Sequence, residues 1–186
     1  TNIRAQLNIL QASVEVCPQA RILAVGSSEE YGRLQAEDLP VDEQTPLRPL
    51  TPYAVSKVAQ EMLGLQYHLS HGLHVVRVRP FNHIGPRQRL GFVASDFAVQ
   101  IAEAEAGLRP PVIQVGNLDA QRDFTDVRDM VRAYRLALEH GEPGEVYNIG
   151  SERAFSIRKM LETLLRIARL PIEVHADPAR VRSSDT

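Results

Sequence analysis

Hydrophobic positions along the chain follow two alternating rhythms. Ile3, Leu7, Leu10 and Val14 recur at helical spacing behind Asn2, a possible N-cap, until Pro18 halts the helix. RILAV, residues 21–25, then reads as a short buried strand. Thr51 can cap a helix that Pro52 opens and Gly72 closes. LHVVRVR, residues 73–79, is a second strand, ended by Pro80. Beyond it the spacing predicts a helix over 95–106 stopped by Gly107, an extended piece at 112–115, and an amphipathic helix in TDVRDMVRAYRLALEHG. Val127, Met130, Val131, Tyr134, Leu136 and Leu138 supply the apolar side of that helix. EVYNIGS reads as a strand, SIRKMLETLLRIARL as a helix and IEVHAD as a strand.

Strands and helices taking turns argue for an α/β fold built on a largely parallel sheet. In open parallel sheets, ligands bind outside the carboxyl ends of the strands. The two clearest strands run into GSSEEYG after Val25 and PFNHIGP after Arg79, so chemistry is expected in those two loops.

Composition narrows the partners. A chain of 186 residues with 44% apolar and 24% charged residues can bury a sizeable core. The net charge of -2, with acids and bases interspersed, leaves no footprint for nucleic acid or an anionic membrane, which favours small molecules or proteins. No apolar run is long enough to cross a bilayer, and the opening TNIRAQLN has no signal-peptide pattern. The lone Cys17 excludes an internal disulfide and is expected as a buried thiol in a reducing compartment, so the expected location is cytoplasmic. His68, His71 and His74 cluster near a helix end without a carboxylate at zinc-site spacing, and no metal is expected.

Of the 21 basic residues, 19 are arginines and two are lysines, Lys57 and Lys159. Lys57 stands four residues after Tyr53, on the same helix face and one turn along. A free phenol titrates near ~10. A neighbouring ammonium favours the phenolate, so Tyr53 is expected to have a lowered pKa and to serve as a general acid or base. The plainer alternative is a surface tyrosine beside a solvated lysine, and spacing alone does not choose.

GSSEEYG resembles the serine-bearing strand end of the extended short-chain dehydrogenase/reductase family, and TPYAVSK resembles its Tyr-Lys segment. NILQA, RPFNHIGPRQ, RDFTDVRDMVRAY and EVYNIGS are similar to further blocks of that family, in the same order. The resemblance implies part of a Rossmann-like doubly wound parallel sheet with a smaller C-terminal substrate-binding α/β portion. Residues 1–85 would be the second half of the Rossmann-like domain and 86–186 mainly the substrate portion, with Val127–Ser151 returning to the main sheet. It implies a Ser27–Tyr53–Lys57 catalytic triad and an NADP or NAD cofactor, NADPH being favoured. Tyr53, Lys57, Pro80, His83 and Ile84 would meet the cofactor; Ser28, Glu29, Asn82 and Arg122 would meet a nucleotide-sugar. For Ser27 the plainer alternative is a strand end or helix cap. For Arg122 it is a salt bridge with Asp123 or Asp126.

Within the family, PFNHIGP is similar to the loop of GDP-4-keto-6-deoxy-D-mannose reductases, which form GDP-D-rhamnose. A 4,6-dehydratase or epimerase using the same triad is the enzymatic alternative, because Glu29 lies two residues before Tyr31, where dehydratases carry their base. A catalytically silent sugar-nucleotide-binding or oligomerisation module is the alternative of another class. No two of the 11 glycines are separated by a single residue, so the family's glycine-rich turn is absent. The chain is therefore expected to be an internal piece of a longer enzyme. The resemblance also implies a homodimer through the triad helix and the helix before it.

Overall fold

The computed structural model describes residues 1–181; residues 182–186, the end of the expected substrate portion, lie outside them. Two compact units divide the chain: Thr1–His83 with Thr125–Glu152, and Ile84–Phe124 with Arg153 onward.

In the first unit, β1 (Arg21–Val25), β2 (His74–Pro80) and β6 (Val146–Ile149) form a parallel sheet in the order β1-β2-β6. As the central strand, β2 is buried along nearly its whole length. Burial without alternation is what a strand covered on both faces shows, and Arg77 and Arg79 are buried with it. Val75 and Arg77 of β2 face α2 (Pro52–His71) across Gly64, whose absent side chain lets the helix sit close; an added Cβ would lie 3.1 Å from Val75 and 3.2 Å from Ala24. Val76 faces the opposite way, towards Gly141 at the end of α4 (Val127–His140). The sheet is thus covered by helices on both sides.

The sequence explains the bounds of α2. The Thr51 hydroxyl accepts from the Ala54 N–H at 3.0 Å, Pro52 occupies the first turn, and Gly72 ends the helix in the left-handed region at φ 66°. Helix α1 (Asn2–Val16) packs on α2, and Leu10 enters a core with Ala24, Tyr67, Leu73 and Val75. Three expectations change here. Thr1 rather than Asn2 holds the N-cap position, since Asn2 is already helical and its amide donates to Ser56 at 3.0 Å. Cys17 is exposed, because it lies just past the end of α1 where the chain turns towards β1. In α4 only Met130 is fully buried, while Val131 and Leu136 face solvent because they fall outside the arc that meets the sheet.

In the second unit, α3 (Val93–Glu105) and α5 (Ile157–Ile167) pack together over β4 (Val112–Val115), which pairs in parallel with β8 (Glu173–Ala176). Phe97, Ile101, Ile113, Val115, Ile157 and Leu161 form the core. Buried Gln100 replaces a missing strand partner: its amide donates to the Gln114 carbonyl at 3.3 Å and accepts from the Gln114 N–H at 2.9 Å. Strand β5 (Gln121–Asp126) pairs antiparallel with β7 (Ala154–Ser156). The short strand β3 (Asn82–Ile84) was also not foreseen.

Candidate active site

Beyond Val25 the chain makes a tight turn at Gly26, whose N–H donates to the Val78 carbonyl at 2.7 Å, and enters a 3-10 helix over Ser28–Tyr31. Ser27 caps that helix: its hydroxyl accepts from the Glu29 N–H at 3.2 Å, and its own N–H donates to the Glu30 carboxyl at 2.8 Å. This reciprocal arrangement fixes the serine at the carboxyl end of β1. The same hydroxyl stands near enough to the Tyr53 phenol, in the first turn of α2, to pull its pKa down. The cap, the plainer alternative for Ser27, is present, and the Tyr53 phenol stands beside it.

Lys57 lies one turn further along α2. Its ammonium donates to the Val25 carbonyl at 2.6 Å and to the Gln60 side chain at 2.9 Å. The amine is therefore tied to the end of β1. Burial lowers its pKa, opposed by the nearby Glu30.

The electrostatic expectation for Tyr53 is corrected. Its pKa is raised, first by burial and then by the charges of Glu29 and Glu30, while the Ser27 hydrogen bond pulls it down. Lys57 does not lower it, because the ammonium is directed to the strand end. The side chain is nonetheless half exposed, at 49%. A phenol of this kind holds its proton at neutral pH and is suited to giving it up to a developing alkoxide.

The remaining expected site residues are distributed between the units. In the first, Ser28 is half-buried and Glu29 exposed on the 3-10 helix; Pro80 is the buried last residue of β2. Asn82 and His83 follow it, both exposed, with His83 Nδ1 3.2 Å from the Phe81 carbonyl. In the second, Ile84 is half-buried, and Arg122 on β5 donates to the Gln121 carbonyl at 2.7 Å. Asp126 is gripped by Arg128 at 2.6 Å. Among the described residues no group of three His, Cys, Asp or Glu side chains is arranged to hold a metal ion.

Sequence reasoning missed the residues beneath Ser27. Arg77 and Arg79 project from β2 onto Glu61 of α2, and Arg79 also donates to the Tyr31 hydroxyl at 2.9 Å. Tyr31 in turn donates to Asn148 of β6 at 2.7 Å. The available signal was a strand carrying two arginines in a run otherwise buried, which demands buried acidic partners.

The profile of the GDP-mannose 4,6 dehydratase family matches residues 1–184, and the chain belongs to that family. It is 41% identical to the GDP-6-deoxy-D-mannose reductase of Pseudomonas aeruginosa, over 99% of this chain and 60% of the reductase. Its fold is similar to that of RMD from Pseudomonas aeruginosa complexed with NADPH, with a TM-score of 0.92 over 100% of this chain and 64% of that one. It is also similar to dTDP-glucose 4,6-dehydratase from Bacillus anthracis in complex with NAD, at 26% identity and a TM-score of 0.81, covering 97% of this chain and 57% of that one. The chain thus spans about three fifths of the length of these relatives.

Proposed function

We propose that the chain carries the reactive centre of a nucleotide-sugar reductase, which passes hydride from NADPH to the C4 ketone of GDP-4-keto-6-deoxy-D-mannose and yields GDP-D-rhamnose. The observation that carries this reading is Lys57 anchored at the end of β1, one turn along α2 from Tyr53, with the capping Ser27 hydroxyl close enough to the phenol to lower its pKa. The 41% identity to a reductase named for this sugar supports the substrate class.

The donor set fits a reduced nicotinamide cofactor. Two of the three Lys57 N–H donors are engaged, leaving one for a ribose hydroxyl, and the Tyr53 side chain is half exposed. When bound, that cofactor supplies the hydride. Ser27 donates to the ketone oxygen and aligns it; Tyr53 gives its phenolic proton to that oxygen as the ketone becomes an alcohol. Lys57 holds the ribose with its remaining N–H donor. Arg122 would grip the diphosphate with its planar donors. Ser28, Glu29 and Asn82 would contact the sugar nucleotide, and Pro80, His83 and Ile84 the nicotinamide.

A dehydratase or epimerase reading has one observation in its favour: exposed Glu29 stands close enough to Tyr53 to raise its pKa, as a base beside the sugar would. Net NADPH consumption with the 4-keto sugar supports the reductase. Conversion of GDP-mannose without net consumption overturns it for the dehydratase, and failure to bind either ligand, alone or with the chain extended upstream, overturns both for a silent module. We further propose a cytoplasmic homodimer through α1 and α2, whose outer faces expose Ile9, Val55 and Leu69; gel filtration reading a monomer overturns that assembly. No helix of the described residues is long and apolar enough to cross a membrane.

A further inference from the structure

Glu30 and Glu61 have no solvent exposure. Glu61 is fully engaged: Oε1 accepts from Arg77 at 2.9 Å and from Arg79 at 2.7 Å, and Oε2 accepts from Arg79 Nε at 2.9 Å. Glu30 differs. Its Oε1 accepts from the Ser27 N–H, but its buried Oε2 has no hydrogen-bond donor. Arg79 Nε stands 3.8 Å from that oxygen, and the donors of Arg79 are already directed to Glu61, Tyr31 and the Glu43 carbonyl. Both carboxyl groups lie over Gly26, where a Cβ would sit 2.4 Å from Glu30 Oε1 and 3.2 Å from Glu61 Oε2. Like charges crowded over one backbone position disfavour joint ionisation. A buried oxygen without a donor becomes satisfied as soon as it carries a proton and donates it.

We propose that Glu30 and Glu61 share one proton, carried by Glu30 and donated to Glu61, and that neutral Glu30 is a positioning residue that fixes Ser27 and, through it, the Tyr53 phenol. The shared proton rests on the crowding of the two carboxyls over Gly26 and on the unmatched Glu30 Oε2; the positioning rests on the reading of Ser27 and Tyr53 given above.

The charges around the pair are consistent with this. From α2 it is faced by Lys57 and Tyr53, from β2 by Arg77 and Arg79, from its own turn by Glu29 and Tyr31, and from the following loop by Glu43. Burial first, and the Glu61 charge second, push the Glu30 carboxyl up to about 8, against the downward pull of the Ser27 N–H and of Arg79. A carboxyl raised on folding contributes its full stability below the unfolded value of 4.5 and loses it as pH rises towards about 8. An ionised Glu30 would also raise Tyr53 further.

Glu30→Gln mimics the protonated acid, since its carboxamide can accept from Ser27 and donate to Glu61. Difference infrared spectra of the chain near neutral pH should show the carbonyl stretch of a protonated carboxyl that Glu30→Gln lacks, titrating in the parent with a midpoint near 8. Between pH 4.5 and about 8, the parent's folding constant should fall relative to Glu30→Gln by up to about tenfold per pH unit, the slope for one proton. The Tyr53 phenolate signal, isolated by subtracting Tyr53→Phe, should titrate at lower pH in Glu30→Gln. Absence of the carboxyl band in the parent, or parallel stability curves, overturns the shared proton. The parent's band decides that point even if the variant fails to fold. An unmoved Tyr53 titration overturns the positioning role, whereas a band present in a chain inert towards the 4-keto sugar leaves the proton standing and sinks the proposed function.

Discussion

Lys57 donates to the carbonyl of Val25 at 2.6 Å, so this lysine of α2 is fastened to the last residue of β1. Its amine therefore acts from a fixed point at the strand end. Lys57→Met should leave the Tyr53 titration almost unmoved, because the phenol is shifted by burial, Ser27 and the two glutamates. NADPH affinity should fall about 10- to 100-fold, the worth of one charge-assisted hydrogen bond of about 1.5–3 kcal/mol. Lys57→Arg should not restore it, since a guanidinium cannot reproduce a compact ammonium between two acceptors. Phenolate absorbance and cofactor titration read the two effects separately.

Tyr53→Phe removes the proposed proton donor and little else. The side chain is half exposed, so stability should stay within about 0.5 kcal/mol of the parent. Turnover should drop roughly 10²- to 10⁴-fold, the usual contribution of a positioned acid. In the direction of ketone reduction the phenol must be protonated, and its pKa lies above the ordinary 10.0. The Tyr53-dependent limb of the rate profile should therefore stay flat through neutral pH and fall only above that value.

Ser27→Ala should act twice. The turn loses its cap, at a cost of about 1 kcal/mol in urea unfolding. The phenol loses the hydrogen bond that pulls its pKa down, so Tyr53 should titrate still higher than in the parent. A Tyr53 titration that moves lower would contradict the assignment of Ser27 as its partner.

Much of this site could be read from the sequence because local rules govern it. Arg21–Val25 is an apolar run bounded by turn residues, and Thr51, Pro52 and Gly72 are each a helix signal with its own mechanism. The four-residue spacing of Tyr53 and Lys57 placed them on one face, but it could not tell where a flexible amine would point. That depended on the Val25 carbonyl, an acceptor brought close only by the packing of α2 on the sheet. The pairing of Glu30, Glu61, Arg77 and Arg79 was hidden for the same reason: three elements distant in the chain supply it. The short strands β3, β5 and β7 carry no apolar alternation and form only where a neighbouring strand is present.

Glu61 is the sole carboxylate partner that Arg77 meets at salt-bridge distance among the described residues, and it also holds Arg79 at 2.7 Å. Glu61→Gln keeps the shape but removes the charge between two guanidiniums that are almost fully buried. Breaking a buried pair from one side costs about 3–5 kcal/mol, more than any surface pair, because the stranded cation cannot reach water. With a urea slope of about 2 kcal/mol per M, the unfolding midpoint should fall by roughly 2 M. Added salt should not restore it, since ions do not screen a buried charge well. The triple change Glu61→Leu, Arg77→Met, Arg79→Met should recover much of the loss, because it removes the stranded charges together with their desolvation cost. It should not recover the Tyr31 contact, because the Arg79 donor to that hydroxyl is gone. A triple variant no more stable than Glu61→Gln would mean that the network specifies the packing of α2 on β2 rather than merely balancing its own charges.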